Sequence, residues 1–154
     1  MVSQRIYIDT SVIGGYFDKE FEEFTKRLFE KVNTGEFKLV ISDLTQSELL
    51  EAPEKVRNVF KHLNLDYEVA DLNDEAIELA EEYLGEKIVG QSSRDDCLHI
   101  AIATINKVDI LVSWNFKHIV NIKKIRGFNS INIRNGYHTL EIRSPKEVID
   151  YEKE

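Results

Sequence analysis

The sequence predicts an α/β protein built on an open, mostly parallel sheet, and two observations carry that expectation. Apolar strand-like segments are each followed by a helical segment, the order that a parallel sheet with crossover helices requires. One helical stretch, residues 95–106, is apolar nearly all round, as a helix covered on every side would be. With 154 residues, 42% of them hydrophobic and 31% charged, the chain fits one domain over 1–154 with an ordinary core. No internal repeat, low-complexity segment or linker interrupts it.

Each element has its own signal. Residues 5–9 alternate as a strand that ends on Asp9, and Thr10 and Ser11 can start a helix. Residues 20–32 place Phe21, Phe24, Leu28 and Phe29 at helical spacing, and Gly35 ends that helix. A second strand is expected at 37–41. Ser42 and Asp43 then lead a helix reaching about Ala52, with Pro53 opening another. Residues 66–70 form a weaker strand, and Asn73 caps a helix running to Gly85. Residues 90–93 read as a loop, 95–106 as the central helix and 109–113 as the next strand. Ser144, Pro145 and Glu147 combine an N-cap, a proline at the first helical position and a capping-box acid, which marks a last short helix.

Composition narrows the function. The longest apolar runs are too short to span a bilayer, and the amino terminus lacks a charged segment feeding an apolar one, so a cytoplasmic protein without membrane association is expected. Cys97 stands alone, which removes an internal disulfide and a thiolate zinc cluster; its neighbours place it in a buried helix. The net charge of −8 argues against a large phosphate-tracking groove. Local cations at Arg94, Lys117, Lys123, Lys124 and Arg126 remain available to guide a backbone, although a run such as 123–126 is more often a solvated face.

In an open parallel sheet, ligands bind beyond the carboxyl ends of the strands. Asp9 ends the first strand, Glu48 lies in the helix after the second, Asp96 opens the apolar helix, and Asn115 follows the last clear strand. No local need links these four, yet each belongs at the same rim. Clustered carboxylates repel one another and lose hydration, so they call for cations between them. Oxygen ligands without a cysteine or histidine pair at zinc spacing favour Mg²⁺ or Mn²⁺, which keep water ligands and take phosphate oxygens from a substrate. That chemistry is phosphodiester hydrolysis.

The same residues carry a resemblance. Tyr7-Ile8-Asp9-Thr10-Ser11-Val12-Ile13, Ser47-Glu48-Leu49, the run from Asp96 to Ala103 that includes His99, and Trp114-Asn115-Phe116-Lys117-His118 resemble the four ordered motifs of PIN domains, in the VapC-like toxin ribonuclease branch with a Trp-Asn-x-x-His motif. The resemblance spans nearly the whole chain. It implies a three-layer α/β/α sandwich with a central parallel sheet of four to five strands, metal-dependent endonuclease cleavage of RNA, a homodimer, and a cognate antitoxin as partner. It places Asp9, Glu48 and Asp96 at the acidic site positions, with Thr10 or Ser11 as the accompanying hydroxyl. Many PIN domains have a fourth acid where this chain has Asn115, which cannot match a carboxylate's charge. The expected arrangement is Mg²⁺ or Mn²⁺ on Asp9 and Asp96, Glu48 orienting or deprotonating the attacking water, and Asn115 placing water or metal.

Simpler duties compete at each position. Asp9 can cap the helix after it, Glu48 stands at capping-box spacing from Thr45, and Asp96 has the same spacing from Ser93. Asp95 belongs to the helix dipole, His99 to the core as a hydrogen-bonded histidine, and Trp114 to packing rather than base stacking. His118 is open between a phosphate or water contact and a loop-fixing hydrogen bond. At the level of function, an endoribonuclease acting as the toxin of a type II toxin–antitoxin pair stands beside a catalytically weak RNA-binding or regulatory module. Phosphatases of the haloacid-dehalogenase type want a second Asp where this chain has Ser11, and phospho-receivers want an acidic pair where it has Ile8.

Overall fold

The computed structural model describes residues 3–90 and 93–151. Five parallel strands form one sheet in the order β3-β2-β1-β4-β5. In chain order, β1 is Gln4–Ile8, β2 Phe37–Ser42, β3 Glu68–Ala70, β4 Ile110–Val112 and β5 Glu141–Arg143. β1 lies at the centre, with Ile6 opposite Leu39 of β2 and Tyr7 opposite Leu111 of β4. The chain moves outward from β1 to β3, then returns to add β4 and β5 on the other side. Strand order therefore reverses between β1 and β4, and the crevice at their carboxyl ends is where a parallel sheet accepts a ligand.

All strands being parallel, every connection must cross over, and the crossovers are helical. α1 (Thr10–Gly15) and α2 (Glu22–Asn33) join β1 to β2; α3 (Asp43–Leu49), α4 (Glu54–Arg57) and α5 (Val59–His62) join β2 to β3. α6 (Asp74–Gly85) and α7 (Arg94–Ile105) lead to β4, α8 (Ile122–Arg134) leads to β5, and α9 (Pro145–Tyr151) ends the described chain. The two-residue period of the strands sorts their side chains between two cores. Tyr7, Val40, Leu111 and Ile142 pack with α6, α7 and α8, whereas Ile6, Ile8, Leu39, Ile41 and Val112 pack with α1, α2 and α9. The result is the expected three-layer α/β/α sandwich, its sheet at the upper end of the expected strand number. Fully burying each such aliphatic or aromatic side chain contributes roughly 1.5–3 kcal/mol, so the central strand is the most strongly anchored element.

α7 shows why residues 95–106 lack amphipathic periodicity: Cys97 through Thr104 are all buried, between the sheet and α6. Asn73 caps α6 by accepting from the amide of Ala76 at 2.9 Å, and Ser144 and Glu147 form the expected reciprocal box at the start of α9. The expected loop at 90–93 includes residues 91 and 92, which lie outside the described residues.

Two expectations change: Pro53 occupies the N-cap of α4 rather than its first turn, and α3 ends at Leu49, so residues 50–52 are a turn. The basic run 123–126 lies on α8, a helix capped by Asn121 and buried along Phe128, Ile131 and Asn132, with Lys123 and Arg126 exposed as on a solvated face. β5, for which the sequence carries no signal, closes the far edge beside β4.

Candidate active site at the carboxyl rim of the sheet

The turn after β1 sets the first carboxylate. Asp9 is the N-cap of α1, with Oδ1 accepting from the Val12 amide at 3.3 Å and from Ser11 Oγ at 2.6 Å. Its Oδ2 accepts from Ser113 Oγ at 2.6 Å. Asp9 is only 5% exposed, and burial pushes its carboxyl above the usual range although His99 and the three hydrogen bonds oppose the shift. Capping and site geometry thus coincide in one residue.

Both serines are themselves held by the end of β4. Ser11 Oγ accepts from the Trp114 amide at 3.0 Å, and Ser113 Oγ accepts from the Asn115 amide at 2.9 Å. The first turn and the segment after β4 are laced across the strand-order reversal through Asp9.

Glu48 comes from α3, on the other side of β1. The capping box of that helix joins Ser42 and Thr45, so Glu48 is released from the capping duty that its spacing from Thr45 offered. Its Oε1 instead takes the Thr10 hydroxyl at 2.6 Å and His99 Nε2 at 2.7 Å. Burial raises its carboxyl, but the hydrogen bonds from His99 and Thr10 outweigh it and hold Glu48 below the usual range.

Asp96 is the third residue of α7, and Ser93 makes no side-chain cap there. Burial pushes its carboxyl up, followed by repulsion from Asp9, with a smaller contribution from Glu48; His99 and His118 oppose. Asp95 beside it is exposed. Asn115 Nδ2 donates to Asp96 Oδ2 at 3.3 Å, and Asn115 Oδ1 accepts from the His118 amide at 2.9 Å. His118 Nδ1 is buried without a hydrogen-bond partner among the described residues. His118 therefore has a fixed backbone amide and a buried Nδ1 unpartnered among those residues, with its ring close enough to Asp96 to oppose that carboxyl's upward shift.

The rim thus gathers Asp9, Thr10, Ser11, Glu48, Asp96, Asn115 and His118. Trp114 serves packing: it is 8% exposed, stacks on Phe21 with ring centroids 4.3 Å apart, and donates Nε1–H to Thr25 Oγ1 at 2.9 Å. Arg94 is paired with Glu81. His99 is the expected core histidine at 2% exposure, but its partners are Tyr7 and Glu48, so it belongs to the site as well. Ser113, which the sequence reading passed over, fixes Asp9; its only signal was a hydroxyl at the end of an apolar strand.

Among the described residues, no three acidic, histidine or cysteine side chains are placed to share an ion. Asp9 and Asp96, close enough that the charge of Asp9 helps raise the Asp96 carboxyl, form a two-carboxylate set of hard oxygen donors. That set fits Mg²⁺ or Mn²⁺, since magnesium is commonly held by one or two carboxylates with water and substrate oxygens completing its shell. Each ionised carboxylate retains lone pairs beyond the hydrogen bonds it accepts.

No family model and no curated protein matches the sequence. Solved structures do. VapBC2 from Rickettsia felis, bound to a DNA fragment from its promoter, superposes with a TM-score of 0.58 at 15% identity, over 92% of this chain and 98% of that one. The sarcin-ricin loop cleaving toxin VapC20 of Mycobacterium tuberculosis gives 0.55 at 14% identity, over 88% and 98%. FitAcB from Neisseria gonorrhoeae gives 0.59 at 13% identity, over 92% and 98%. The end-to-end coverage of these neighbours, together with the five-stranded parallel sheet and its two helical layers, establishes that the chain has the PIN-like fold.

Proposed function

We propose that this chain is a Mg²⁺- or Mn²⁺-dependent endoribonuclease and the toxin of a type II toxin–antitoxin pair. The observation that carries the reading is the carboxylate pair Asp9 and Asp96 at the β1/β4 reversal, with Glu48 facing it from α3 on a hydrogen-bonded mount. Asp9 and Asp96 would hold the cation, which when bound would neutralise charge on the phosphoryl oxygens and acidify the attacking water. Glu48, held below the usual carboxylate range, is ionised near neutrality and accepts the proton of the attacking water. Thr10 and Ser11 keep Glu48 and Asp9 in place, and Asn115 steers Asp96 and, through the His118 amide, the turn beside it.

The partners follow the same reading. The Rickettsia felis neighbour is VapBC2 bound to a promoter DNA fragment and the Mycobacterium tuberculosis neighbour is a sarcin-ricin loop cleaving toxin, which supports RNA as substrate and a cognate antitoxin as partner. We place the protein in the cytoplasm as a homodimer. Among the described residues, no helix is long and apolar enough to cross a membrane.

The test is cleavage of a structured RNA by the purified chain with Mg²⁺, Mn²⁺ or EDTA, beside Asp9→Asn and Asp96→Asn. Metal-dependent cutting that both variants lose is expected; cutting that survives both would overturn the assignment. Asn115 favours one second reading, a weakly catalytic RNA-binding module. Saturable, Asp9-dependent Mn²⁺ binding by calorimetry together with turnover excludes it.

A further inference from the structure

Behind Glu48 a line of buried hydrogen bonds runs through the sheet into the core. Ser42 Oγ accepts from the Thr45 amide at 3.1 Å and lies 2.8 Å from the Tyr7 hydroxyl; that hydroxyl lies 2.5 Å from His99 Nδ1, and His99 Nε2 lies 2.7 Å from Glu48 Oε1. Tyr7 and Ser42 are 0% exposed and His99 2%. The line joins four elements: β1 through Tyr7, β2 through Ser42, α7 through His99 and α3 through Glu48.

We infer that His99, locked by Tyr7, is a positioning residue that fixes the orientation of Glu48 for the proposed water activation. An ionised carboxylate can only accept, so Nε2 carries the proton that faces Glu48. In the neutral ring Nδ1 then accepts, and the Tyr7 hydroxyl donates into it. Glu48 selects that tautomer because it can only accept, and the buried Tyr7 hydroxyl, able to donate or accept, matches it. Oε1 of Glu48 therefore receives two donors, Thr10 and His99, while Oε2 takes no hydrogen bond from the described residues. A carboxylate clamped by one oxygen has its plane set and presents the other oxygen to water. Displacements near 1 Å can cost about a hundredfold in rate, which is the size of effect that such a clamp controls.

The inference rests on the nuclease reading, and the experiment separates the two. RNA cleavage in Mn²⁺ is compared for the wild type, His99→Phe, His99→Gln and Tyr7→Phe, with melting temperature and Mn²⁺ affinity measured on each. His99→Phe is expected to lower kcat by about a hundredfold with KM and Mn²⁺ affinity unchanged. His99→Gln, which keeps a donor toward Glu48, recovers part of the loss, and Tyr7→Phe falls between. Independently, ¹⁵N NMR of the metal-free wild type is expected to show His99 as the Nε2–H tautomer, with that preference weakened by Glu48→Gln. A folded His99→Phe with wild-type kcat, or an Nδ1–H tautomer, overturns the inference. If His99→Phe does not fold, His99→Gln and the tautomer decide. A wild type that cuts no RNA defeats the nuclease reading, and the tautomer then decides whether His99 clamps Glu48.

Discussion

Asn115 donates its side-chain amide to Oδ2 of Asp96 at 3.3 Å while its own Oδ1 accepts from the His118 amide at 2.9 Å. One residue therefore steers a site carboxylate and ties down the turn that follows β4, whose next two amides, of Ile119 and Val120, bond to the Asn115 carbonyl. A neutral amide does both jobs because it carries a donor and an acceptor. An acid at this position keeps the acceptor and loses the donor.

Asn115→Asp is accordingly expected to lower the metal-free melting temperature, since it sets a carboxylate against Asp96 with no donor between them. Cation should offset the effect if Asp9 and Asp96 hold one as proposed, because the substitution adds a further negative charge beside that pair. Differential scanning fluorimetry with and without Mn²⁺ reads both changes. A variant whose metal-free melting temperature matches the wild type would show that the amide contributes nothing at Asp96.

Ser113→Ala removes the donor to Asp9 Oδ2 and the acceptor for the Asn115 amide in one step. Both remaining groups lie in the interior of the rim, and a buried polar group left unsatisfied costs about 1–3 kcal/mol. Urea unfolding should show a loss of that order. Ser113→Thr, which retains the hydroxyl, should recover much of it.

The legible parts of the fold are those whose signal is local. β1, β2 and β4 are apolar runs, and the caps at Asn73 and Ser144 form from residues three apart. α8 is not legible because Gly127 and Asn132 break its apolar pattern. Gly127 is required where Ile88 packs, as an added Cβ would stand 2.7 Å from Ile88 Cδ1. The buried Asn132 is satisfied by Tyr83 and Thr104 on α6 and α7, which local sequence cannot announce. β5 buries one side chain, Ile142, between two polar ones. At the rim, Asp9, Glu48, Asp96 and Asn115 stand out by residue type and strand ending. Ser113 and Tyr7 do not, because the bonds that tie them to Asp9 and His99 span 104 and 92 residues. The Thr45–Glu48 spacing misleads for a related reason: the tertiary bonds from Thr10 and His99 claim the Glu48 carboxylate.

Metal-free stability should depend on pH with opposing signs from the site acids. Asp9 and Asp96 are raised, so their contribution is fully present below the unfolded value near 3.9 and is lost as pH rises through their higher folded values. Glu48 is lowered, so its contribution is present above the unfolded value near 4.3 and is lost as pH falls through its folded one. Asp96→Asn removes one raised group. Its melting temperature relative to the wild type should therefore increase from pH 4 to pH 7 (about the span from unfolded to neutral conditions) without metal, and the advantage should vanish in saturating Mn²⁺. A difference that is flat across that range would contradict the raised carboxyl of Asp96.

Gly15 closes α1 against the chain's single tryptophan. A Cβ there would stand 2.8 Å from Trp114 Nε1 and 2.9 Å from Thr25 Oγ1, inside the hydrogen bond that joins them. Gly15→Ala is expected to destabilise the fold by about 1–3 kcal/mol through overpacking, and to shift Trp114 emission as its indole N–H loses Thr25. Unfolding followed by fluorescence measures both at once, since no other indole contributes.

If the rim binds RNA as proposed, the exposed ring of Phe116 rather than the packed Trp114 is the one placed to stack on a base. Its ring is 50% exposed, edge-on to Trp114 at 6.0 Å between centroids, and it follows Asn115 directly. An exposed ring beside the proposed phosphodiester site would give an unpaired base a face to stack on, worth about 1–3 kcal/mol per base. Phe116→Ala should raise KM for RNA roughly tenfold with kcat nearly constant, because stacking is the same in the bound and transition states. Phe116→Tyr keeps the face and should keep KM. A fall in kcat with unchanged KM would instead assign Phe116 to holding the turn that carries Asn115.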